Sequence, residues 1–376
     1  MTRKSRVHAV VGGGVMGVAT AWELARRGEA VVVYEATGVA DGASGGFGYR
    51  GVRANGRDLR ELPLMARAYE IWPELADALG SRTGYDRIGH LRLYEAPHEE
   101  PSSAHRARVQ ASMGIPSQHL GRAQLLEMEP GLGPTVRGAV HCPMDGVADH
   151  GATTQAYARA AQGAGAEVRV GRAVTGLISH GGRVKELELE GGDRVPVSGE
   201  LLLLANSATA TLVERALGRE LPVWAVLPQV LWTSAEDETP PFTSLLGHAH
   251  RRISLKLIPD GRIMISGGWR GTWDRSGAPT SIPDHVKANW DEAVRVLPSV
   301  VRRTLEGAQV DRPESVSVDG IPVIDRLPEA SNVIVATGWS GHGWAIAPAV
   351  AELLAAWVTS GNRPGLLGPF CLGRFA

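Results

Sequence analysis

Residues 6–36 read RVHAVVGGGVMGVATAWELARRGEAVVVYEA, and no other segment leaves the chain so little choice of fold. Val7 to Val11 reads as a buried strand. Gly12, Gly14 and Gly17 follow as G-x-G-x-x-G. Val15 to Arg27 carries a helical pattern, closed by Gly28 just past its end. Ala30 to Tyr34 is a second strand, with Glu35 at its carboxyl end. The first glycine permits the tight turn, the second lets backbone approach a pyrophosphate, and the third lets helix pack on strand. The helix N-terminus, opening at Val15 and Met16, offers free N–H groups and a positive dipole to phosphate. Glu35, roughly 20 residues beyond the turn, can accept from both ribose hydroxyls. An acid there disfavours a 2′-phosphate, so the adenosine is of FAD or NAD type. With 47 glycines in 376 residues, the bare glycine spacing carries little. The strand before it, the helix after it and the acid beyond carry the expectation of dinucleotide binding.

A chain of 376 residues exceeds one simple core, so two units are expected. A formal net charge of −1 gives no electrostatic footprint for nucleic acid or an anionic membrane. Cys142 and Cys371 are far apart, which fits a reducing compartment without a disulfide framework. No metal-ligand spacing occurs, and the pair His141-Cys142 reads as packing. No 18-residue apolar run exists, so no membrane span is expected. The basic MTRKSR start and Ala19-Thr20-Ala21 imitate a secretory leader, but the apolar stretch between them is broken by glycines and continues as a helix. A cytoplasmic protein, monomeric or a small homo-oligomer, is the expectation.

After Glu35 the chain does not return at once to strand and helix. Residues 38–53, GVADGASGGFGYRGVR, form a glycine-rich loop carrying Ser44, Arg50 and Arg53. A helical segment follows around LPLMARAYEIWPEL. Small residues suit a loop lying along a pyrophosphate and a planar ring. This loop, following a GxGxxG–Glu unit, resembles the D-amino acid oxidase superfamily of FAD enzymes, which includes glycine and sarcosine oxidases. The resemblance implies an α/β (α+β) fold: a Rossmann-like FAD-binding domain of the glutathione-reductase type with an antiparallel-sheet substrate domain. The expected division is 1–80, 138–212 and 313–376 for FAD, and 81–137 and 213–312 for substrate. It further implies that Ala43, Ser44, Gly45 and Arg50 lie at the flavin, and that Arg53 helps bind a substrate carboxylate.

The resemblance continues through residues 138–178, where DG-x-x-D leads into a helix over 152–163. There it implies that the backbone at Val174 touches the adenine. Leu201 to Ala205 is a buried strand, followed by Asn206-Ser207 where the family usually has a glycine. From about 215 to 310, Pro259-Asp260-Gly261 marks a hairpin turn, and Trp224, Trp232, Trp269 and Trp273 either fill a sheet interface or wall a pocket. Lys256, in SLKL, stands on a strand. An alternating strand can turn it outward; the family resemblance instead implies that it assists oxygen activation near the flavin, as a cation stabilising developing negative charge.

The segment 315–357, with ATGWSGHGWAIAP at its centre, is similar to the family's closing signature. The resemblance implies that Gly338, Gly341, His342, Gly343 and Trp344 complete the flavin site. A helix opening near Ala345, with Pro348 in its first turn, would aim its N-terminus at the ring. At Arg312 some relatives carry a cysteine that bonds the flavin; arginine there implies noncovalent FAD and a grip on the substrate carboxylate. The expected activity is oxidation of an amino acid or secondary-amine carboxylate to an imine, with O2 accepting the electrons. Alternatives are a dehydrogenase of the same fold serving a quinone or partner subunit, a flavin-binding accessory protein without turnover, and an NAD dehydrogenase.

Overall fold

The structure, a computed structural model, describes residues 6–44, 48–236 and 241–376. Strand β1 (Val7–Val11), helix α1 (Val15–Ala25) and strand β2 (Ala30–Tyr34) form at the expected places. They begin a six-stranded sheet. Leu201–Leu203 pairs with the other side of β1, followed by Val333–Thr337 and an edge strand, Val323–Arg326. Glu167–Arg169 lies beside β2. All neighbours are parallel except at the Val323–Arg326 edge.

The central strands are largely apolar because both faces are covered. Val10, Leu202 and Ile334 face a core shared with α1 and the C-terminal helix Gly343–Ser360. Val11, Leu203 and Val335 face a second core that includes helix Ser207–Leu217. The alternation of a strand therefore feeds two cores. Helix Gly343–Ser360 opens earlier than expected, so Pro348 stands inside it rather than in its first turn. Among the described residues it is the one helix long and apolar enough to cross a membrane. With 67% of its apolar window buried, it packs here as a core helix.

An antiparallel-rich sheet of eight strands supplies the other half of the molecule. Its centre is Val230–Thr233, Ile263–Ser266, Ser254–Leu257, Leu245–His248 and strand β3 (His90–Tyr94). Leu91, Leu93, Leu255, Ile263 and Ile265 face a core with helix Pro283–Val296. The alternate residues His90, Arg92, Lys256, Met264 and Ser266 face a cavity instead. The expected division put residue 138 at the start of an FAD segment. Strand Gly138–Cys142 instead hydrogen-bonds to β3 and to Gln118–Gly121 within this second sheet.

Candidate active site

Gly12 adopts φ +112°, and a Cβ there would meet the Leu204 carbonyl oxygen at 2.7 Å. At Gly17 a Cβ would stand 1.8 Å from the Gly12 carbonyl oxygen, so only glycine lets α1 pack this closely. Gly14 caps α1 without any side-chain hydrogen bond, and no atom lies within 4 Å of where its Cβ would be. Gly14, Val15 and Met16, at the start of the helix, line a cavity, the place where a helix N-terminus accepts phosphate. Glu35 is held at the strand end: its Oε2 accepts from the Gly13 amide at 2.5 Å and its Oε1 from the Thr37 amide at 2.9 Å.

A cavity of about 770 Å³ opens in front of this turn. Gly12, Gly14, Val15, Met16 and Glu35 line it, as do Ala43, Ser44, Arg50, Arg53 and Val174. So do Lys256, Gly341, His342, Gly343 and Trp344. The sheet pleat turns Lys256 inward, not out to solvent. Gly17 lies behind the wall, acting through helix packing. Gly45 is outside the described residues. Two expectations fail on position. Gly338 is not at the cavity: a Cβ there would meet Val223 at 2.8 Å, so it serves packing. Arg312 is exposed and its Nε donates to the Asp41 carbonyl at 2.6 Å, away from the lining. Of the tryptophans, Trp269 lines the cavity, Trp232 lies under the Arg262 guanidinium, and Trp224 and Trp273 are exposed.

Several functional-looking residues carry no motif. Asn206 lines the cavity at φ +50°, a conformation that asparagine tolerates better than most residues. Its Oδ1 accepts from the Ser315 amide at 3.0 Å and hydroxyl at 2.6 Å, tying the first sheet to residues 314–317. Glu314 accepts from Ser44 and, at 2.6 Å, from the Gly341 amide. Arg57 and Glu61 are buried at an ion-pair distance of 3.5 Å. Glu61 Oε2 also meets His342 Nδ1 at 2.8 Å. Only their tertiary neighbours mark these residues out.

The electrostatics are dominated by buried cations. Burial pulls Arg50 and Arg57 down to about 10, against the opposing pull of Glu314 and Glu61 respectively. Lys256 is 6% exposed, and burial followed by Arg50 and Arg53 lowers it to about 7. Among the described residues the lining carboxylates are Glu35 and Glu314, both already bonded. Among the described residues no group of His, Cys, Asp and Glu is arranged to hold a metal ion.

A family model described as DAO, FAD dependent oxidoreductase, matches residues 8–357. The chain belongs to the DAO family of FAD-dependent oxidoreductases. It is similar to a glycine oxidase of Geobacillus kaustophilus, with 27% identity over 97% of this chain and 96% of that one. It is 25% identical to the beta subunit of an Arthrobacter sarcosine oxidase, over 99% of this chain and 92% of that subunit. In fold it matches an L-proline dehydrogenase from P. horikoshii with a TM-score of 0.89, at 24% identity over 100% and 98% of the two chains. The Geobacillus glycine oxidase structure matches with a TM-score of 0.84, at 24% identity over 98% of each chain. As a DAO-family member the protein is an FAD-dependent enzyme acting on amino acids or amines. The residues fit that cofactor. The uncapped α1 N-terminus suits the pyrophosphate and Glu35 the ribose. Trp344 offers a buried Nε1–H with no acceptor among the described residues.

Proposed function

We propose that the protein oxidises the C–N bond of an amino acid or secondary-amine carboxylate to an imine, with O2 taking up the two electrons and two protons as H2O2. The observation that carries this reading is Lys256, a buried cation on the cavity face beside Arg50 and Arg53. A cation held in a low-dielectric site favours the negative charge that develops on oxygen. Arg53 donates from Nη1 to the Asn55 carbonyl at 3.0 Å and pairs with no carboxylate among the described residues. Its remaining N–H groups can fork a substrate carboxylate. Bound FAD supplies the acceptor for the hydride leaving the substrate Cα.

The chain's own share is positioning and exclusion of water. Arg53 fixes one end of the substrate, while Met264, Trp269 and Trp344 present apolar surface. Among the described residues no uncommitted carboxylate lines the cavity to act as base, so the amine enters neutral and its rate rises with pH. Arg50, Glu35, Val174, Ser44 and Gly341, which line the cavity, would hold the cofactor. Neither Cys142 nor Cys371 lines the cavity, which supports noncovalent FAD.

Peroxide formation under air, compared with dye reduction under nitrogen, tests the reading. Peroxide equal to the amine consumed is expected. Rapid dye reduction with no peroxide would move the electrons to a quinone or partner subunit. FAD appearing in the supernatant after acid precipitation checks the noncovalent attachment.

A further inference from the structure

Arg92 stands on β3, where the pleat turns it to the cavity while Leu91 and Leu93 enter the core. Its guanidinium has five N–H donors, and among the described residues its acceptor is the Ala249 carbonyl, at 3.3 Å. No carboxylate pairs with it among the described residues. Glu99, the acid whose charge it feels, is already bonded to the Glu95 and Ala96 amides at 3.0 and 2.6 Å. Opposite Arg92 in the parallel pairing stands Gly247, which has no side chain to cover it.

Arg92 is also close to the loop that carries Arg53. A Cβ on Gly56 would lie 3.0 Å from Arg92 Cδ and 3.1 Å from its Nε. That loop is fixed from beneath by Asp145, which accepts from the Ala54 amide at 2.6 Å and the Asn55 amide at 3.1 Å. Two guanidiniums without carboxylate partners therefore line one cavity from two rigid elements. Burial and the neighbouring charges of Arg106 and Arg53 all disfavour charge on Arg92, lowering it to about 10. It keeps that charge at neutral pH, and an incoming anion relieves the repulsion.

We propose that Arg92 is a second anion site in this cavity, and that the substrate is an amino acid with a carboxylate on its side chain as well as on Cα. This rests on the amino acid oxidation reading above, in which Arg53 takes the Cα carboxylate. One cation would suffice for a neutral amino acid. Arg92, half-buried and without a carboxylate partner on the face that β3 turns to the cavity, suits a ligand that brings a second negative charge.

On the FAD-loaded enzyme, the test compares pairs that differ in the second carboxylate. Anaerobic bleaching by D- and L-glutamate and aspartate is set against glutamine and asparagine. Equilibrium binding of glutarate is set against butyrate, read from perturbation of the flavin absorbance. The acids are expected to exceed the amides, and glutarate to exceed butyrate, by on the order of tenfold or more. Arg92→Ala should remove the difference, and Arg92→Lys should keep part of it. Should Arg92→Ala lose flavin or fold, the wild-type comparison of glutarate with butyrate still decides. Equal binding of glutarate and butyrate, with alanine or proline bleaching the flavin, overturns the second site and leaves amino acid oxidation standing. No bleaching by any amine overturns both.

Discussion

Arg57 Nη1 donates to the His342 carbonyl at 3.0 Å, joining the loop after Arg53 to the first turn of the C-terminal helix. The same guanidinium faces buried Glu61, whose other oxygen meets the His342 ring. One charged group thus sets where the substrate loop and the GWSGHGW turn stand relative to each other. Removing one partner strands a buried carboxylate, which typically costs about 3–5 kcal/mol. Arg57→Ala is expected to lower unfolding stability by that amount, and unchanged chemical denaturation would remove this linkage.

Arg53 and Arg312 separate cleanly. Truncating a buried charge partner typically costs about 2–5 kcal/mol of binding. Arg53→Ala should therefore reduce kcat/KM by at least about 30-fold, mostly through KM, with Arg53→Lys recovering only part. Arg312→Ala should stay within about twofold, because its guanidinium is exposed and its Nε already binds the Asp41 carbonyl. Steady-state kinetics on both variants decide this, and a large loss in Arg312→Ala would return the carboxylate role to that residue.

Lys256 gives a pH signature. It is charged below about 7 and neutral above in the chain alone. The rate of reoxidation by O2 should therefore fall as pH rises through about 7. Lys256→Met should slow that step by on the order of 100-fold while leaving anaerobic bleaching by substrate intact. Stability gives an independent sign. The folded value lies below the ordinary 10.5, so charging this lysine destabilises the fold. That penalty is complete below about 7 and fades as pH rises towards 10.5. Lys256→Met should accordingly stabilise the apoprotein most at low pH, and an unchanged pH–stability curve would count against the buried placement.

Gly341 holds φ +80°, with open space where a Cβ would stand and its amide on Glu314. A side chain in the left-handed region adds about 1–2 kcal/mol of strain, and an acid there adds charge facing the cofactor. Gly341→Asp should purify without bound flavin, while Gly341→Ala retains part. The ratio of flavin to protein absorbance reads it directly. A yellow, active Gly341→Asp enzyme would displace Gly341 from the flavin site.

Glu35→Gln tests the other end of the same cavity. Its carboxylate anchors the turn through the Gly13 amide, and charged hydrogen bonds contribute about 1.5–3 kcal/mol. FAD titration of the apoprotein should show affinity reduced by at least about tenfold.

The sequence alone determined the β1–α1–β2 unit, because glycine spacing, strand, helix and terminal acid are all local and each follows from backbone sterics or the helix dipole. It also marked the loop carrying Arg50 and Arg53, and the turn around Gly341. What it left undecided needed contacts across the chain. Whether Lys256 faces inward depends on which side of its sheet is covered, since a strand pattern has two faces and names neither. Arg312 looked like a ligand by position, yet its side chain bonds to Asp41, 271 residues away. Arg92, Arg57 and Glu61 had no motif at all. Only the packing of β3 against the Arg53 loop turns Arg92 into the cavity, and only the packing of that loop against the C-terminal helix buries Arg57 with Glu61 and His342. Local sequence pattern fixes backbone conformation, but the environment of a charge is set by residues hundreds of positions distant, so the cofactor turn was legible and the substrate end was not.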